Sequence, residues 1–285
     1  MKKSLTNPPL VHVVLELKFA EIPSLRNISE ELESNLHNRM MEIGFPEILR
    51  SRVEGFDVKI DPLTQSMIQN RYDNKRLLFR AAGEQSIVEI SSSSIQLKAT
   101  KYTSFESFYE SFSKALEAIC DLTQLSKAVL KFLELRYVNV IVPSNNHTLS
   151  EFIAPGYSAP NFFDKFKNLQ GQRINVFETN AGQLIINFAE IRTMNNRVHH
   201  ILPNDLMEPD QNCILSIEGQ ESWLNVSAET YGLLDMRHVH QFKGSPILSI
   251  DEIDRVAKEL YTDISEIFWE FITPLASEKW GKYEV

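Results

Sequence analysis

The stretch Leu10–Phe19, LVHVVLELKF, decides the fold that this sequence predicts. Every second residue from Val11 onward is apolar, whereas His12, Glu16 and Lys18 fall on the other side, a pattern typical of a strand with one wet face. Residues 131–137, KFLELRY, repeat the same Leu-Glu-Leu-base-aromatic order. The two segments predict two equivalent strands, each of which opens one half of the chain.

A helix, a group of strands and a long helix are predicted after each of these segments. In the first half, Asn27 with Glu30 predicts a helix start, and Thr103 with Glu106 predicts the start of the long helix. The second half has a short helix near residues 149–153. Its strand candidates are residues 172–179, 183–191, 212–217 and 230–237.

The last helix is predicted to open at Ser249 and to stop at Pro274, with an apolar stripe that includes Phe268. The sequence therefore predicts an α+β fold of two pseudo-repeated halves. They would form a large curved antiparallel sheet with long helices on one face, in a TATA-binding-protein-like or helix-grip-like topology. We expect an N-terminal lobe at residues 1–142, a loop-rich insert at 143–171 and a C-terminal lobe at 172–285, interlocked as one unit.

Composition narrows the class of protein. The net charge of −9 disfavours binding to double-stranded nucleic acid or to an anionic membrane. Two cysteines without a close partner, no long apolar run and no signal-peptide pattern predict a cytoplasmic protein. Walker, dinucleotide-binding, GxSxG and HExxH motifs are absent from the sequence, so no cofactor is expected.

Several segments together suggest a family. They are residues 7–11 (NPPLV), 135–139 (LRYVN), 233–235 (LLD) and 267–273 (IFWEFIT). In this order they resemble a sporadically distributed, largely uncharacterised prokaryotic family that opens with a Pro-Pro-Leu-Val strand and carries a Leu-Arg-Tyr-Ile/Val-Asn strand. The resemblance implies no catalytic residue. Its sporadic occurrence favours a mobile or defence-linked gene set, such as phage defence.

Charged residues alternate on the two equivalent strands. Glu16 with Lys18, and Glu134 with Arg136, would each share a strand face. Acids that hold a divalent metal beside bases that hold phosphate would suit a metal-dependent phosphohydrolase or a nucleotide-binding enzyme. A solvated face of neutralising charge pairs is the other interpretation of the same residues.

Two histidines, His238 and His240, offer a metal-binding hypothesis because an HxH pair on a strand presents both rings on one face. The same alternation places Asp235 on the opposite face. Two exposed histidines beside a turn would give the same pattern.

A cluster of aromatic and basic residues lies in the insert: Phe162, Phe163, Lys165, Phe166 and Lys167. It could bind a protein or nucleic acid, although the phenylalanines also fit a short helix packed on the core. With the net negative charge, a protein partner encoded nearby is the better match. The sequence thus favours a non-enzymatic binding or regulatory module that acts on a protein partner, with the phosphohydrolase as the alternative.

Overall fold

A computed structural model describes residues 3–60, 67–144, 146–158 and 170–284, and for residues 55–60 and 67–74 it describes the backbone only. The strands are β1 (Lys3–Leu5), β2 (Leu10–Phe19), β3 (Glu47–Ile60), β4 (Met67–Arg80), β5 (Ser86–Ile90), β6 (Ser94–Ala99), β7 (Leu130–Ile141), β8 (Gly171–Glu178), β9 (Gln183–Arg192), β10 (Thr230–Gln241) and β11 (Lys282–Glu284). The α-helices are α1 (Pro23–Arg26), α2 (Glu30–Glu42), α3 (Phe105–Leu122), α4 (Ile250–Phe271) and α5 (Pro274–Lys279).

One antiparallel sheet contains nine of the described strands, in the order β3-β4-β5-β6-β2-β7-β10-β9-β8. The two strands predicted to be equivalent, β2 and β7, pair at its centre, with Leu15 opposite Leu135 and Glu16 opposite Glu134. This confirms the predicted α+β class and its large antiparallel sheet. Strands from both predicted lobes share the sheet, whereas β1 and β11 form a separate two-stranded ribbon.

The core lies between one face of the sheet and the long helices. Leu15 and Leu17 of β2 meet the apolar side of α3 and α4 there. The stripe of α4 is buried at the predicted 3–4-residue spacing, and burial of each such side chain contributes about 1.5–3 kcal/mol. Phe268 is only partly buried, and Phe271 is the buried aromatic at the end of the helix. No helix in the described ranges has the length and apolar content to cross a membrane.

Three sequence predictions about element ends are wrong. Ser104, rather than Thr103, caps α3, because its Oγ accepts a hydrogen bond of 3.2 Å from the Ser107 amide. Ser29, rather than Asn27, caps α2, because its Oγ accepts a hydrogen bond of 3.2 Å from the Leu32 amide. Pro274 does not stop α4, which ends at Phe271. The proline instead occupies the first turn of α5, where its missing N–H costs nothing.

The second half differs from the first in its elements. Where the first half has α2, the described second half has only short 3₁₀ turns, and residues 212–217 form no strand. Cys213 and Leu215 of that segment instead pack onto Leu78 and Ile87, which satisfies their apolar character without strand pairing. Because the elements of the two halves differ in this way, the pseudo-repeat of the two halves remains a prediction.

Residues 193–229, which connect β9 to β10, form a long crossing that we call the strap. It runs over the sheet face opposite the helices, which we call the open face. The Ser216 amide donates to the Glu84 carbonyl at 2.8 Å, and the Thr193 amide donates to the Glu229 carbonyl at 2.9 Å. A connection of this length within a compact fold is commonly functional.

Candidate functional site

A polar groove of about 430 Å³ lies between the open face and the strap. Residues two apart on a strand share a face, which is why Glu134 and Arg136 both line it. Carboxylates and cations in the groove are nearly equal in number. The charged lining residues are Glu16, Arg76, Glu89, Lys98, Glu134, Arg136, Asp205, Glu208 and Arg237.

Arg136 is the centre of one ion-pair network in the groove. Its guanidinium donates to both carboxylate oxygens of Asp235 on β10, at 2.7 and 2.8 Å, and to both of Asp205 in the strap, at 2.6 and 3.0 Å. Burial opposes the charge of Arg136, but the hydrogen bonds to the two aspartates outweigh it and raise its pKa. The same contact lowers the pKa of Asp205. Arg136 thereby holds the strap to the sheet.

Arg76 on β4 makes a second network of the same kind. Its guanidinium donates to Glu208 of the strap at 2.6 and 3.0 Å and to Glu89 of β5 at 3.3 Å. Ser51 accepts a further hydrogen bond at 2.8 Å, and Lys98 donates to Glu89 at 2.7 Å. The Nη atoms of both arginines are therefore already paired with carboxylates, and Arg76 Nε is buried without a hydrogen-bond partner in the described part of the chain.

The structure brings together three of the four residues predicted for a charged strand face. Glu16 and Glu134 are directly opposite one another, and with Arg136 they line the groove. Lys18 lies at its rim, 3.6 Å from Glu16. Glu134 lies 2.6 Å from Arg237, and burial raises its pKa above the ordinary range. Each acid therefore already has a cationic neighbour.

His12, on the same strand face, is buried, and neither ring nitrogen has a hydrogen-bond partner among the described residues. Burial, together with the nearby charges of Lys98 and Arg136, lowers its pKa to about 3. The ring is therefore a neutral core residue at physiological pH.

The histidines of the metal hypothesis lie on the helix side of β10. His238 Nε2 is 3.0 Å from Thr179 Oγ1, and its Nδ1 is 3.2 Å from the Leu260 carbonyl oxygen. His240 Nδ1 is 2.5 Å from the Ala181 carbonyl oxygen. The described ranges contain no group of three or more His, Cys, Asp or Glu side chains placed to hold a metal ion.

A second cavity, the aromatic pocket, was missed by the sequence reasoning. It measures about 590 Å³ and lies between α4, the central strands and the ribbon of β1 and β11. Its aromatic lining residues are Tyr102, Tyr137, Tyr261, Phe268, Trp269 and Tyr283. They come from four separate parts of the chain, so no local motif marks them. Asn139, an amide at an inward position of β7, was the one available signal.

Asn139 is 3% exposed and lines the pocket, yet its Nδ2 has no hydrogen-bond partner in the described part of the chain. Near it, the hydroxyls of Tyr102 and Tyr137 are 2.8 Å apart. Burial raises the pKa of both tyrosines, so both hydroxyls keep their protons. The pocket thus combines aromatic walls with a small polar base, as small-molecule sites do.

The outer strand β8 is a third candidate surface. Ile174 and Val176, which share a face, are 59% and 57% exposed, and Phe177 is 40% exposed. β8 pairs with β9 on one side only in the described sheet. The partner-binding residues predicted from sequence, Phe162, Phe163, Lys165, Phe166 and Lys167, lie outside the described residues.

Neither a protein-family model nor a curated protein sequence matches this chain.

Proposed function

We propose that this chain is a non-enzymatic binding and regulatory module that acts on a protein partner through strand β8. The observation that supports this proposal is the set of exposed apolar side chains of Ile174, Val176 and Phe177 at the edge of the sheet. Proteins usually protect an edge strand with charges, proline or a covering segment, because its free N–H and C=O groups template further pairing.

The four central positions of β8 carry no charge, and Arg173 and Glu178 flank them. An extended segment of a partner can add to such an edge, with main-chain hydrogen bonds supplying affinity and alternate side chains supplying specificity. The family resemblance adds the expectation of a partner encoded nearby, in a mobile or defence-linked gene set.

The alternative, a metal-dependent phosphohydrolase, has less support from the groove. Arg76 and Arg136 each bind two carboxylates, and Glu134 is buried beside Arg237. A catalytic groove would need cations that a substrate phosphate can bind without first breaking these ion pairs.

The test is a comparison of Val176→Lys with Gln172→Lys. Both positions are exposed and lie on one face of β8, so the two variants add the same charge to the same strand. We expect Val176→Lys to lose a specific partner in quantitative co-purification from the host, while Gln172→Lys retains it and both melt at the parental temperature. Equal partner profiles for the parent and Val176→Lys would refute the proposal.

A further inference from the structure

We propose that the aromatic pocket binds a small planar aromatic anion, whose ring carries a hydrogen-bond acceptor. This site is separate from strand β8, and the inference does not depend on the proposed partner. It depends on three features of the pocket: an unpartnered amide at the base, aromatic walls and a single type of charge at the mouth.

The base supplies a hydrogen-bond donor. A buried N–H without a partner is costly because it has given up its hydrogen bond to water, and Asn139 Nδ2 is such a group. A carbonyl oxygen or a ring nitrogen of a ligand would accept its hydrogen bond. The protonated hydroxyls of Tyr102 and Tyr137, 2.8 Å apart, add a polar patch on the same β7 face.

The walls suit a flat ring. Tyr261 is held in position by stacking on Phe105, with ring centroids 4.3 Å apart and planes 3° apart. Phe268 and Trp269 of α4 lie edge to face, with centroids 5.6 Å apart. Aliphatic residues such as Met236 and Ile264 complete the lining. Pockets of about 300–1,000 Å³ with such walls bury most of the surface of a drug-sized ligand.

The mouth supplies positive charge. Lys3 is the only charged residue lining the pocket in the described part of the chain. Its ammonium lies 5.7 Å from the centre of the Trp269 ring. With no carboxylate in the same lining, an anionic group of the ligand gains an attractive contact and a cationic ligand does not. A carboxylate or a phosphate would satisfy this position.

The experiment is isothermal titration of the full chain with two probe panels. One panel contains AMP, GMP and UMP, and the other contains nicotinate, quinaldate and 4-hydroxybenzoate. The matching nucleosides, nicotinamide and 3-(aminomethyl)pyridine serve as probes without the anion. We expect one panel to contain a binder that is at least tenfold tighter than its uncharged or cationic counterpart, and the panel identifies which anion the site prefers.

Three variants test the site. We expect Asn139→Leu to weaken binding at least tenfold and Lys3→Glu to weaken it about tenfold, whereas Lys243→Glu, an exposed charge reversal outside the pocket, leaves it unchanged. Because Asn139→Leu changes a buried residue, Ser265→Trp provides a second block: it fills the mouth from a half-buried helix position. Absence of binding in both panels, equal binding of the uncharged probes, or undiminished binding by Ser265→Trp would each overturn the proposal.

Discussion

Replacing Asp235 by Asn should destabilise the protein far more than the same replacement at Asp205, although both aspartates bind Arg136. The side chains of Arg136 and Asp235 are 7% and 8% exposed, whereas that of Asp205 is 63% exposed. Removing one partner of a buried pair costs about 3–5 kcal/mol, and an exposed ion pair contributes about 0–1 kcal/mol. Since Asp205 remains to neutralise Arg136, we expect about 3 kcal/mol for Asp235→Asn and below 1 kcal/mol for Asp205→Asn.

The measurement is urea unfolding at neutral pH, supported by thermal melting. At about 2–4 °C per kcal/mol for a chain of this size, Asp235→Asn should melt about 6–12 °C below the parent. The double variant measures the coupling between the two aspartates through their shared guanidinium. An Asp205→Asn variant that loses as much stability as Asp235→Asn would refute the reasoning, because the energy would then depend on the strap contact rather than on burial.

Three further predictions follow from the core, the turn between β8 and β9, and the buried histidine. Phe271→Ala should cost about 3–5 kcal/mol in urea unfolding, and Phe268→Ala less, because Phe268 is only partly buried; the reverse order would contradict the assigned core. Gly182→Ala should be strongly destabilising in the same assay, since φ is +157° and a Cβ would lie 2.1 Å from the Val239 carbonyl oxygen; a parental melting temperature would exclude this backbone geometry. Burial lowers the pKa of His12 to about 3, so the unfolded chain takes up a proton below pH 6.5 while the folded chain does not. The free energy of unfolding should therefore fall by about 2 kcal/mol between pH 7 and pH 5, and His12→Leu should abolish this fall. If the free energy of unfolding of His12→Leu depends on pH as that of the parent does, the assignment is contradicted.

The sequence predicted the elements that periodicity marks clearly. The alternation in β2 and β7 and the stripe on α4 identify buried faces directly, and these elements have the predicted type. The strand predicted at residues 212–217 was wrong because an apolar segment that packs over the face of a sheet has the same composition as a strand of that sheet. The prediction that Asn27 caps α2 was wrong because Ser29, two residues later, is an equally good N-cap residue.

The sites were harder to predict than the elements. Alternation placed Glu134 and Arg136 on one face correctly, but the strap residues that bind Arg136 come from a connection with no periodic pattern. The aromatic pocket depends on α4 lying against the ribbon of chain ends, and the contacts between such distant segments leave no local sequence signal. Only the inward amide of Asn139 departed from the apolar pattern around it.

The central pairing of β2 with β7 sets a timing problem during synthesis. About 110 residues separate the end of β2 from the start of β7. At roughly 5–20 residues per second, the ribosome needs about 6–20 s to make that interval. Until β6 is made, β2 has neither of its sheet neighbours, and after that its other edge stays open until Leu133 and Leu135 emerge. The nascent chain therefore exposes an apolar strand edge for many seconds. We expect chaperones that bind extended segments to bind β2 during this stage of synthesis.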